Sequence, residues 1–237
     1  MIFCPASFWG DGSNPEHAAY LSALARILHP DIYVFWNGDA IVTPRITSVA
    51  AQSYRSVVQH RFFLWDNYPV NDGNPTMHLG PLSGREPDLC ESIEGYISNP
   101  MCSQNEINRL PLATAAEYAF APHTYKPLRS IGQSILRLAK TPAEQMLLKQ
   151  LVEQYPGFIV AGGGTGTNPA RAKFSRLLTE EGSRGRAIDH LNFMKNLHAE
   201  FTKIFPSQFS DAKTSVARDI EWMNQELART PCLVTQK

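Results

Sequence analysis

The chain has 237 residues, 43% apolar and 19% charged, with 22 basic side chains against 22 acidic ones. That much apolar material supports a sizeable core and excludes a disordered chain. The zero net charge excludes a globally basic nucleic-acid binder, and no apolar run approaches the roughly 20 residues that span a bilayer. The four cysteines (Cys4, Cys90, Cys102, Cys232) form no Cys-x-x-Cys pair, so neither a zinc site nor a disulfide scaffold is expected. No metal or cofactor is predicted. The opening MIFCPASFWG has no cationic leader, which makes it a poor secretion signal and the cytoplasm the expected compartment.

In chain order, short runs dense in aromatic and β-branched residues stand at 2–4, 32–36, 62–65 and 96–98. Each is apolar through its centre and closes on Pro, Gly or Asn, as buried parallel strands do. Their spacing of roughly 30 residues is that of one βα unit. Between them, 15–28 repeats Ala18, Leu21, Leu24, Ala25 and Leu28 at helical spacing, with Asn14 as N-cap and Pro15 at the first helical position. A weaker helical face follows at 48–59, a short one at 86–93, and a long one at 102–120 that Pro111 should kink or split.

From about residue 125 the pattern becomes helical. The TPAE run at 141–144 is a capping box opening a helix through Tyr155. Residues 169–179, 186–205 and 212–228 are amphipathic, and 157–168 form an irregular connector. Its AGGGTGTNPAR lacks the Gly-Lys-Ser/Thr ending of a phosphate loop. The predicted fold is therefore α/β. Residues 1–124 fit four βα units, either an open sheet or the later half of a (β/α)8 TIM barrel, and 125–237 form a helical bundle region.

Parallel α/β sheets place ligands at the carboxyl ends of their strands. Those positions read CPASFWGDG, WNGDAIV, WDNYPVNDG and SNPM, rich in Trp, Asn, Asp and Gly. Trp65 offers a flat apolar platform for a sugar ring or an acetamido methyl. Asp72 accepts from neighbouring hydroxyls, while Asn67 both donates and accepts. A core Trp beside an Asx turn explains the same residues equally well. Asn37 before Gly38 reads more readily as a turn residue, and Asn99 before Pro100 fits a ligand contact or a helix cap. Phe8 and Trp9 make an aromatic wall or part of the core. The seven histidines show no ligand spacing, and no Gly-x-Ser-x-Gly elbow occurs.

An ordered series of motifs resembles glycoside hydrolase family 84, the β-N-acetylglucosaminidases that include protein O-GlcNAcase. It comprises FCP at 3–5, HPDIYVFWNG ahead of IVTPRIT at 29–47, LWDNYPVND at 64–72, HLGPLSGR at 78–85, SNPM at 98–101 and TAAEY at 114–118. The resemblance implies a (β/α)8 catalytic barrel whose substrate is an N-acetylglucosamine-containing glycoside or glycoprotein. It also implies that Trp65 lines the N-acetyl pocket and that Asn67, Asp72 and Asn99 bind sugar hydroxyls. Two positions depart from the family pattern: Phe8 stands where a pocket tyrosine is usual, and Asn37 where Trp-Thr-Gly has its threonine.

The same resemblance implies substrate-assisted catalysis, one of the exceptions to the two-carboxylate glycosidase scheme. The substrate's acetamido oxygen attacks the anomeric carbon to give an oxazoline, and an adjacent Asp-Asp pair polarises the amide and handles the proton. No Asp-Asp occurs in this sequence, and Asp39, Asp66 and Asp72 belong to the wrong strands to replace it. No catalytic residue is therefore assigned. The expectation is a fragment holding the sugar-binding wall, joined to helices and completed by the missing barrel half. A non-catalytic N-acetylglucosamine-binding module or pseudo-enzyme is the alternative. A helical interaction protein is a third reading, with little support from a neutral tail that lacks heptads. Neither nucleic acid nor membrane is an expected partner.

Overall fold

A computed structural model describes residues 1–72, 75–161, 166–180 and 183–230. Four strands, β1 (Ile2–Phe3), β2 (Tyr33–Trp36), β3 (Phe62–Asp66) and β4 (Gly95–Ser98), pair in parallel in the order β1-β2-β3-β4. Helix α1 (Pro15–Ile27) connects the first pair, α2 (Ser48–Val58) the second, and a 3₁₀ turn (Pro87–Glu91) precedes β4. All four strands lie where the aromatic runs put them. The short helix expected at 86–93 tightens into that 3₁₀ turn.

The helix starts follow from their caps. Asn14 Oδ1 accepts the backbone N–H groups of Glu16 and His17 at the head of α1. Thr47 Oγ1 does the same for Ala50 at the head of α2, which ends where Gln59 turns left-handed at φ 51°.

Strand order and crossover hand together decide where the helices go. Sequential parallel strands joined by crossovers of one hand place every connection on the same side of the sheet. One apolar cluster bears this out: Leu21 of α1, Ala50, Ala51, Tyr54 and Val58 of α2, and Leu89 of the 3₁₀ turn pack on Val34, Trp36, Phe62 and Leu64. Burial alternates along β3 with period two, Phe62, Leu64 and Asp66 being buried and Phe63 and Trp65 half-buried. The half-buried set faces away from the helices. There Tyr33 meets Phe63 edge-on at 5.3 Å, Phe35 meets Trp65 at 5.0 Å, and Arg61 Cζ lies 4.4 Å from the Tyr33 ring.

Beyond β4 the chain is helical: α3 (Arg109–Phe120), α4 (Pro127–Leu138), α5 (Pro142–Gln154), α6 (Phe158–Ala161), α7 (Pro169–Thr179), α8 (Arg184–Ile204) and α9 (Ser210–Arg229). The kink expected at Pro111 does not form. The helix begins at Arg109, so Pro111 sits in its first turn, where the missing N–H has no intrahelical partner to lose. The start is set from outside: Asn108 Nδ2 donates to Met101 O at 2.7 Å, and its Oδ1 accepts the Met101 N–H. The TPAE box opens α5 as expected, with Thr141 Oγ1 accepting the Glu144 N–H.

Met77, Leu79, Met101, Ile107 and Leu110 share one core with Leu148, Leu151, Phe174, Met194, Phe201 and Met223. The segments following β3 and β4 are thus packed into the helices. The expected irregular connector at 157–168 contains α6, and its 162–165 part lies outside the described residues. No described helix is long and apolar enough to cross a membrane.

Candidate functional site

The loops leaving β1 and β2 are locked together by backbone hydrogen bonds. Asn37 N–H donates to Phe8 O at 2.8 Å, Gly10 N–H donates to Gly38 O at 2.8 Å, and Trp36 Nε1 donates to Gly10 O at 2.8 Å. Gly38 turns the corner at φ 92°, and a Cβ there would lie 2.8 Å from Thr43 Oγ1. Thr43 Oγ1 in turn accepts the Ala40 N–H. Phe8 is half-buried and meets Trp9 edge-on at 4.9 Å. Asn37 is 3% exposed and its Nδ2 donates to Ile41 O at 3.2 Å.

The same Ile41 carbonyl accepts from Asn67 Nδ2 at 2.6 Å. Asn67 follows β3 on the parity of Phe63 and Trp65, away from the helices. Its Oδ1 accepts from Trp65 Nε1 at 3.0 Å and from Asn99 Nδ2 at 3.0 Å. An indole nitrogen can only donate, so the amide orientation of Asn67 is fixed by chemistry. Asn99 reaches it because the β3–β4 ladder continues past the strands, with Asn99 N–H donating to Asp66 O at 2.8 Å.

The structure therefore brings Asn37, Trp65, Asn67 and Asn99 into one chain of hydrogen bonds across three strand ends. Counting donors and acceptors shows what remains. Asn67 Oδ1 is doubly occupied, while one N–H of Asn67, one N–H of Asn99 and the Asn99 carbonyl oxygen have no partner among the described residues. All three belong to half-buried side chains. Trp65 is half-buried, meets Phe35 edge-on and presents its ring nitrogen to Asn67 Oδ1. Asp72 is exposed and makes no hydrogen bond to this set among the described residues.

On the helix side, Asp66 is buried and fully engaged. Arg85 Nε donates to its Oδ2 at 2.7 Å, Arg85 Nη2 to its Oδ1 at 2.5 Å, and Tyr96 OH to its Oδ2 at 2.8 Å. Arg85 Nη1 donates to Pro44 O and Ser83 O, so the bidentate pair also fastens the loops beneath the site. Burial opposes the Arg85 charge, but the adjacent Asp66 carboxylate outweighs it and holds the guanidinium above its ordinary value. Burial, then Asp66, pushes the Tyr96 hydroxyl well above the usual phenol range. Neither Arg85 nor Tyr96 was singled out from sequence. The HLGPLSGR motif ends on Arg85, but nothing in its spacing points to Asp66.

Asp39, set aside above as standing on the wrong strand for catalysis, is perturbed as well. Partial burial, then the neighbouring charge of Asp11, raises Asp39 above the ordinary carboxyl range.

A parallel α/β sheet with helices packed on one face and polar and aromatic residues at its carboxyl ends is an arrangement that places ligands at those ends. A family model described as beta-N-acetylglucosaminidase matches residues 1–153. The chain belongs to that family, as the motif series implied. Its fold is similar to that of an O-GlcNAc hydrolase mutant from Thermobaculum terrenum, at 24% identity and a TM-score of 0.68, over 96% of this chain and 48% of that one. It is similar also to the structure of CpGH84B, at 20% identity and a TM-score of 0.67, over 95% of this chain and 41% of that one. The chain thus spans about half the length of the first and two fifths of the second.

Proposed function

We propose that this chain supplies the sugar-binding wall of a β-N-acetylglucosaminidase that works by substrate-assisted catalysis. The observation that carries the reading is the Trp65–Asn67–Asn99 network, which leaves hydrogen-bonding capacity over in half-buried amides bonded to an indole. These amides are open to solvent but held in place by their other bonds, so the groups left over at the strand ends are suited to a ligand rich in hydroxyls.

In this reading Trp65 packs on the acetamido methyl of a terminal or O-linked N-acetylglucosamine. The spare amide groups of Asn67 and Asn99 take sugar hydroxyls, and the exposed Asp72 carboxylate accepts from the ring's far edge. Phe8 closes the aromatic wall without the hydroxyl that the family pattern has there. Asn37 is buried with its amide spent on Ile41 O, so it acts on the sugar indirectly, by holding the carbonyl that also orients Asn67.

The sheet winding and the likeness to the hydrolase structures support a partial (β/α)8 barrel. The open aromatic face, with Tyr33, Phe35, Phe63 and Trp65, is the surface on which completing barrel strands would pack. The reading assigns the proton-handling Asp-Asp pair to polypeptide other than these 237 residues, which contain none. Each carboxylate that is present is either engaged elsewhere, as Asp66 is, or has no neighbouring Asp in sequence.

The test has two parts. The purified chain should bind N-acetylglucosamine with a Kd on the order of 1 mM, as expected for a few hydrogen bonds and one stacking face. It should show no turnover of an aryl N-acetylglucosaminide between pH 4 and pH 9, pH values chosen to bracket roughly any carboxyl or imidazole acid. Turnover that disappears in Asp72→Ala would sink the assignment of the acid elsewhere. A chain that binds the sugar but gains no activity when combined with the missing barrel strands would instead be a non-catalytic binding module, the second reading that the missing Asp-Asp favours.

A further inference from the structure

Asp72 is exposed, yet the residue before it is among the most buried polar groups in the protein. Asn71 is 1% exposed, as is Gln104 from the segment after β4. Asn71 Nδ2 donates to Gln104 Oε1 at 2.6 Å and to Thr76 O at 2.9 Å, and its Oδ1 accepts the Cys102 N–H at 2.9 Å. Gln104 Nε2 donates to Pro75 O at 2.8 Å and to Ser215 Oγ on α9 at 2.9 Å. Both amides have spent both of their N–H groups, so neither keeps a donor for a ligand.

What these bonds hold is specific. They hold Asn71, the residue before Asp72, together with Pro75 and Thr76. They then tie these residues to the β4 exit and to a helix 111 residues away. A fully satisfied buried amide pair is rigid, because freeing either partner strands donors and acceptors away from water. In the sugar-binding reading, holding Asp72 in place before the ligand arrives removes an ordering cost from binding.

We infer that Gln104 is a positioning residue for sugar capture: acting through Asn71, it sets the Asp72 loop, and Ser215 makes α9 the anchor. The inference rests on the sugar-binding reading above, and the experiment separates the two. Calorimetry with N-acetylglucosamine on the full chain compares wild type, Gln104→Leu, Asp72→Ala, their double variant and Ser215→Ala. Amide exchange by NMR follows Asn71, Asp72 and Thr76, with α8 amides as the internal control.

Gln104→Leu is expected to weaken sugar binding about tenfold and to speed exchange at the three loop amides about tenfold, leaving α8 unchanged. In the Asp72→Ala background the same change should cost nothing further, because its effect runs through Asp72. Ser215→Ala, which removes one arm on a helix that tolerates alanine, should weaken binding about threefold and carries the test if Gln104→Leu does not fold. Additive losses in the double variant, or a slowed or unchanged loop exchange, overturn the inference. If wild type binds no sugar while Gln104→Leu still loosens the loop, the clamp is real and the sugar reading is what has failed.

Discussion

Asp66 and Asn67 are consecutive residues at the end of one strand, and they face opposite worlds. Asp66 points into the helix layer, where Arg85 and Tyr96 meet both of its oxygens. Asn67 points to the open face, where its own oxygen is saturated but the amide set it belongs to is not. Saturation marks the first as architecture. Residual capacity is what the proposed sugar site draws on in the second. The distinction is useful because residue type alone gives the reverse impression, the aspartate looking the more chemical of the two.

That contrast can be broken most severely at Arg85. Arg85→Leu leaves the Asp66 carboxylate buried without its cation, and chemical denaturation should show a loss of about 3–5 kcal/mol. A loss under 1 kcal/mol would mean that the pair is not the fastening described here.

His190 sharpens the contrast inside the helical core. It is 7% exposed, its Nε2 has no hydrogen-bond partner among the described residues, and it stacks on Phe193 at 6.3 Å. Burial, then the charge of Lys173, lowers it from 6.5 to about 4. The unfolded chain therefore takes up a proton that the folded chain refuses between those values. Stability should be full above pH 6.5, fall as pH drops toward about 4, and level off below it, by no more than about 3 kcal/mol. His190→Phe should flatten that slope in urea titrations run across the interval.

The smallest effect on stability belongs to the open face. Asn67→Ala should cost at most about 1 kcal/mol of folding free energy, since its partners there can turn to water. The same variant should lose about tenfold or more in affinity for N-acetylglucosamine. If it unfolds the chain as Arg85→Leu does, the two sides of β3 are not distinct in kind.

Much of this could be read directly from the chain. The four strands announce themselves because aromatic and β-branched residues cluster at their centres, and caps such as Asn14 and Thr141 are local signals. Trp65, Asn67 and Asn99 stood out as candidates because such a sheet places ligands at its strand ends, and the structure joins the three by hydrogen bonds. Pro111 misled because its effect depends on where the helix starts, and that is decided by Asn108 bonding to Met101 rather than by periodicity. Asn37 reads as a turn residue, but it is Gly38 after it that turns the corner, and the Asn37 side chain reaches the carbonyl that Asn67 uses. The partners of Asp66 lie 19 and 30 residues away, and those of Gln104 as far as 111, on elements whose packing no local pattern encodes.

A sheet with all its crossovers on one side also sorts mutations by odd and even position. Down β3, changes at Phe62, Leu64 and Asp66 press on helices that are already in place, whereas changes at Phe63 and Trp65 press on whatever occupies the hollow opposite. Selection for yield and selection for recognition would then act on alternating residues of the same five-residue segment, with little interference between them.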